Sequence, residues 1–137
     1  IYTGEDTLSL HDALPIYRPR WLQIGLPIAG PILLGVFCGW LLGVSGLGYL
    51  IVTTLGILGG LNAGYEHNTL RGGAIRGVTG GILFALAIAE TWRLIGEDAL
   101  ADVPDPIELL VVLFGAISTA LGLIGASLRR RHDAAAA

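Results

Sequence analysis

Lysine is absent from this 137-residue chain, and cysteine occurs once, as Cys38. A single thiol excludes an intrachain disulfide and any cysteine-based metal cluster. Charge is scarce as well: Asp, Glu and Arg make up 14% of the residues, against roughly 25% in soluble domains. Constellations that carry chemistry are missing. No nucleophile has a base at suitable spacing, no His/Cys set has metal-ligand spacing, and no basic patch fits a nucleic acid. The run Gly72-Gly73-Ala74-Ile75-Arg76-Gly77 lacks the preceding strand that a nucleotide-binding fingerprint requires. The expectation is a non-enzyme with no catalytic residue, cofactor, metal or nucleic-acid partner.

What the chain does have is apolar length. Hydrophobic residues reach 53% and the mean hydropathy is +0.71, and apolar stretches of about 20 residues recur, enough to cross a bilayer as helices. The reading is an all-α polytopic membrane protein of about four transmembrane helices, with the lipid bilayer as its first partner. Spans are expected near Trp21–Gly43, Gly46–Tyr65, Gly73–Trp92 and Ile107–Leu128. No charge separates the first two, but one helix over 21–65 would be about 68 Å long, more than twice the roughly 30 Å hydrocarbon core. A tight hairpin is therefore placed at 43–47, the one stretch there rich in turn formers. Pro27 and Pro31 predict a kink in the first span. The third span has a short apolar run, Gly77 to Ala89, and crosses only if Arg76 and Glu90 snorkel to their interfaces.

The first sixteen residues stand apart. Thr7-Leu-Ser-Leu-His-Asp-Ala-Leu-Pro-Ile16 resembles a common short-read sequencing adapter translated in one frame, and Ile1-Tyr2-Thr3 resembles the end of the flow-cell primer, with Gly4 and Glu5 where a variable index is read. The resemblance implies that 1–16 is not native, that the true start lies elsewhere, and that 17–132 is a single transmembrane domain followed by a short tail, 133–137. Setting aside Glu5, Asp6 and Asp12 leaves eight of the eleven acids against eight arginines.

Arginine placement sets the expected topology. Arg18, Arg20, Arg71, Arg76, Arg129, Arg130 and Arg131 flank one set of span ends, and Arg93 alone flanks the other. Positive-inside counting puts both termini on the cytoplasmic side of the cell membrane. The acidic loop Glu97–Glu108 is then external. Its oxygens match no calcium-loop spacing, so solvated charge is the favoured reading. Glu90 and Arg93, three apart, are expected to pair.

Glycine at every fourth residue is the most specific pattern. Gly35, Gly39 and Gly43 form one series, Gly56, Gly60 and Gly64 a second, and Gly73, Gly77 and Gly81 a third, with a softer Ser118, Gly122, Ala126 series on the fourth span. Such spacing lays bare backbone along one helix face, against which another helix packs closely. Two readings stay open. The faces hold the four helices together, or some remain free to join copies or another membrane subunit. Gly60 and Gly77 are expected to face each other across the hairpin of spans two and three.

The inner turn gathers Asn62, Glu66, His67, Arg71 and Arg76, a possible functional polar cluster in which Glu66 would pair with Arg71 or Arg76. The bland alternative is a solvated loop that sets orientation. The stretch Gly59 to His67 with Arg71 to Gly77 resembles small bacterial and archaeal membrane proteins of uncharacterised activity, with a glycine-rich hairpin and a basic cytoplasmic turn; the resemblance implies a packing style and no activity. The function expected is a packing, accessory or self-associating subunit. The rival is a small ion channel or transporter: Thr53, Thr54 and Asn62 resemble the polar residues of small fluoride channels, but the glycine-and-arginine N-terminal signature of those channels is absent. Proton-coupled exporters need a carboxylate deep in a span, whereas Glu66, Glu90 and Glu108 lie near span ends.

Overall fold

The computed structural model describes residues 20–136; the segment 1–16 lies outside them. The described chain is all α, with α1 Arg20–Val44, α2 Gly46–Tyr65, α3 Leu70–Ile95 and α4 Leu109–Ala135. All four are long and apolar enough to cross a membrane, so the architecture is that of a multi-pass membrane protein.

Local chemistry explains the boundaries. Only Ser45 separates α1 from α2, and its hydroxyl accepts a hydrogen bond from the Gly48 N–H at 3.1 Å, capping α2. Thr69 caps α3 in the same way through the Gly72 N–H, also at 3.1 Å. That cap starts α3 three residues before the expected Gly73. Gly96 ends α3 at φ 70°, a left-handed conformation that glycine adopts without a Cβ clash. The basic cluster does not end α4. The helix continues through Arg129–Arg131 to Ala135, and an Arg129–Asp133 ion pair at 3.0 Å bridges one turn of this extension.

The packing order differs from the chain order. α3 lies along α4 on one flank and along α1 on the other, and α2 closes the bundle chiefly against α4. Around the perimeter the order is α1, α3, α4, α2. The consecutive helices α2 and α3 touch across the short diagonal, and among the described residues α1 does not touch α4. The start of α1, the 66–69 turn and the end of α4 share one end of the bundle. The hairpin at Ser45 and the 96–108 loop share the other, where the Leu100 N–H bonds the Leu42 carbonyl at 2.9 Å. Near this second end the core is formed by Cys38, Leu42, Tyr49, Phe84, Ile88, Leu110 and Phe114.

Candidate functional site: the glycine seams and the Arg76 cleft

Most of the glycine series is spent inside the chain. On α3, a Cβ at Gly73 would strike the Gly122 carbonyl, one at Gly77 the Ser118 carbonyl, and one at Gly81 the Phe114 carbonyl. Four-residue steps up α3 thus match four-residue steps down α4, an antiparallel seam of backbone on backbone. On α1, a Cβ at Gly35 would fall 2.7 Å from the Ala87 methyl, and one at Gly39 would fall 2.7 Å from the Ile88 carbonyl oxygen, so α1 runs parallel to α3 in close contact. Gly43 faces the Glu97 side chain in the loop, where a Cβ would lie 3.1 Å away. These spacings lie below ordinary van der Waals contact, so each glycine is there because a neighbour occupies the room of a side chain.

The α2 series divides. At the end nearer the 66–69 turn Gly64 packs on Gly122, and Gly125 packs on Leu61 and Tyr65. Gly125 was not singled out from the sequence. It lies three residues beyond Gly122 and therefore serves a second face of α4, which a search at spacing four passes over. Gly56 meets only the ends of side chains, with Leu34 and Phe84 carbons 3.0 Å from a Cβ placed there. Gly60 has just Ser118 in reach, at 3.9 Å, and Gly59 has nothing within 4 Å. Gly60 and Gly77 do not pack face to face as expected. Over the middle of their length a cleft of about 210 Å³ opens between α2 and α3, and both glycines line it.

The cleft runs from Ala63 and Arg76, nearer the 66–69 turn, to Leu34, Leu55 and Phe84 at its far end, and exposed Leu55 and Gly59 form its rim. Among the described residues Arg76 is its only charged lining residue. The short apolar run of α3 predicts an arginine that snorkels back to the interface. The structure turns it the other way: its Nη1 would lie 3.3 Å from a Cβ at Gly80, one turn further into the helix, and it donates to the Pro27 carbonyl of α1 at 3.0 Å. The cause lies in α1. In a helix the Pro27 carbonyl accepts from residue 31, but residue 31 is proline and has no N–H. Apolar surroundings make an unpaired carbonyl costly. Arg76 supplies the missing donor, and Gly80 leaves room for its side chain to lie along α3.

The other members of the polar cluster do not join it. Glu66 is the C-cap of α2 and is exposed, as are Asn62 and Arg71, and the His67 ring lies against Gly72. Among the described residues neither Arg71 nor Arg76 pairs with Glu66. At the opposite end Arg93 does meet Glu90 at 2.8 Å and also contacts Glu108, tying the end of α3 to the start of α4. The hydroxyls mostly serve their own helices, Thr54 on the Leu50 carbonyl and Thr119 on the Gly115 carbonyl, while the Thr53 hydroxyl donates to the Cys38 sulfur across α1 and α2 at 3.7 Å. Trp92 packs at the edge of the core with its indole N–H buried and, among the described residues, without an acceptor. Among the described residues no group of three or more His, Cys, Asp or Glu side chains is placed to hold a metal. Comparison of the chain with protein families, with curated proteins and with solved structures gave no match.

Proposed function

We propose that the protein is a membrane-embedded packing or accessory subunit that associates with copies of itself or with another membrane subunit, without catalytic chemistry of its own. One observation carries this reading. Most of the inward glycines are already matched by the chain's own helices, yet α4 keeps a further small-residue face outside the bundle. Ala116 and Ala120 are exposed one turn apart, and with Val112, Thr119, Val78 and Ile82 they line a shallow apolar groove between α3 and α4. In a bilayer, an uncovered small-residue face lets another helix approach closely. The channel or carrier reading draws less support, because the cleft above Arg76 ends in Phe84, Leu34 and Leu55 instead of continuing through polar groups.

The site of action on this reading is the cell membrane, with both ends cytoplasmic. It is supported by the arginines at 71 and 129–131 sharing one end of the bundle, while Arg93 stands at the acidic other end. Photobleaching-step counting in liposomes of decreasing protein density tests association: the parent is expected to show multiple steps per particle, and Ala116→Leu mainly single steps. Single steps for the parent at every density overturn self-association. Reporter fusions at 133 and within 99–103 are expected to report opposite sides, the former cytoplasmic.

A further inference from the structure

We infer that the Arg76 cleft is a binding site for one anionic phospholipid of the leaflet at the inner end of the bundle, its phosphate on Arg76 and the upper part of one acyl chain between α1, α2 and α3. The inference is independent of the subunit reading and uses a different face of the molecule.

Three features point to this occupant. The first is the state of Arg76. Its guanidinium presents five N–H donors, and the Pro27 carbonyl takes a bond from only one of its nitrogens. Among the described residues it has no carboxylate partner. A cation set within a membrane span without a counter-charge is costly, and an anion held in bidentate fashion relieves that cost best.

The second is the polarity of the cleft along the membrane normal. Ala63 and the backbone of Arg76 stand at the end nearer the 66–69 turn, the Arg76 guanidinium lies one turn in beside Gly80, and Phe84, Leu34 and Leu55 stand deeper still. Charge at the shallow end and hydrocarbon beyond it is the order of a lipid in its own leaflet. A free phosphate would leave the apolar part unfilled, and a helix would bring no anion to the arginine.

The third is size and access. A dry apolar cavity of about 150 Å³ already takes a molecule the size of benzene, so 210 Å³ accommodates a segment of hydrocarbon chain but not a helix. The rim at Leu55 and Gly59 is exposed on the surface that lipid covers, so a chain enters sideways from the bilayer. Gly56, Gly59 and Gly60 keep the slot open. Side chains at those positions would fill it.

The test is native mass spectrometry of the intact protein released from nanodiscs that contain phosphatidylglycerol and phosphatidylcholine with identical chains. The parent is expected to retain one phosphatidylglycerol in preference to phosphatidylcholine by about five- to tenfold. Arg76→Gln is expected to bring the ratio near one. Gly60→Leu keeps every arginine and has room for its Cβ; by filling the slot it is expected to abolish the retained lipid while the melting temperature in detergent stays at the parent value. Arg71→Gln removes an exposed interfacial arginine and is expected to leave the retained lipid in place. Added glycerol 3-phosphate is expected not to displace it. If Gly60→Leu retains lipid like the parent, surface charge explains the preference and the cleft site is overturned. Displacement by glycerol 3-phosphate, or stronger retention of oleate than of phosphatidylglycerol, overturns the phospholipid assignment, as does a second copy of the chain lost on Gly60→Leu.

Discussion

Along α3, Gly73, Gly77 and Gly81 lie against the backbone of α4; along α2, Gly56 and Gly60 keep the same four-residue step and face side-chain tips and a cleft. The two regions share a sequence pattern and differ in what stands opposite. Spacing of four states only that a helix has a bare face. Whether that face is a seam or a slot depends on the neighbour's position. Here the neighbour of α2 in the chain, α3, is turned toward α1 and α4 instead. A glycine is held in place by the atom it would displace, and the two regions differ in that atom.

Graded substitutions sharpen this contrast. Gly77→Leu is expected to have the largest effect. Its Cβ meets the Ser118 carbonyl, and the Ser118 carbonyl carbon lies 2.8 Å away, so the helices must separate. Overpacking of a tight interface costs on the order of 3 kcal/mol or more, read as a lowered melting temperature in detergent; a parent-like melt would show that the seam is not close-packed. Gly56→Ala is expected to be milder, about 1 kcal/mol, because the atoms 3.0 Å away are side-chain ends of Leu34 and Phe84 that can move. Gly60→Ala, with 3.9 Å to spare, is expected to fall within about 0.5 kcal/mol of the parent. A loss as large as that of Gly77→Leu would mean that α2 closes onto α3 in the bilayer and would erase the distinction between the regions. Leu58→Ala is expected to have the smallest effect, since the residue is 53% exposed to the surface that lipid covers and lipid replaces the lost contact.

Much of the fold was legible because membrane constraints are strict. Helix length required a break between the first two spans, the turn formers placed it at 43–47, and the structure turns there on the single residue Ser45. The Glu90–Arg93 pair followed from spacing. What was not legible involved pairs of distant elements. The depth of Arg76 is set by a proline in another helix. Pro31 four residues after Pro27 does advertise an orphan carbonyl, but nothing local to Arg76 names it as the donor. The perimeter order α1, α3, α4, α2 was likewise hidden, because short loops suggest that chain neighbours pack side by side. The end of α4 was misplaced at Leu128 because apolar content falls there, although helical propensity continues through arginine and alanine.

The one-residue connection at Ser45 makes α1 and α2 the two arms of a hinge. They touch from the turn down to Thr53 on Cys38 and Gly56 on Leu34, and below that they part. The pivot end is further clamped by the Leu100 N–H on the Leu42 carbonyl. The arm formed by the 20 residues of α2 is about 30 Å long, so swinging it by about 5° about the pivot carries the Tyr65 end roughly 2.6 Å. A wedge inserted low between the arms therefore acts with leverage. The far end of that arm is itself held, by Gly64 on Gly122 and by Gly125 on Leu61, so the load of such a wedge falls on the seam between α2 and α4.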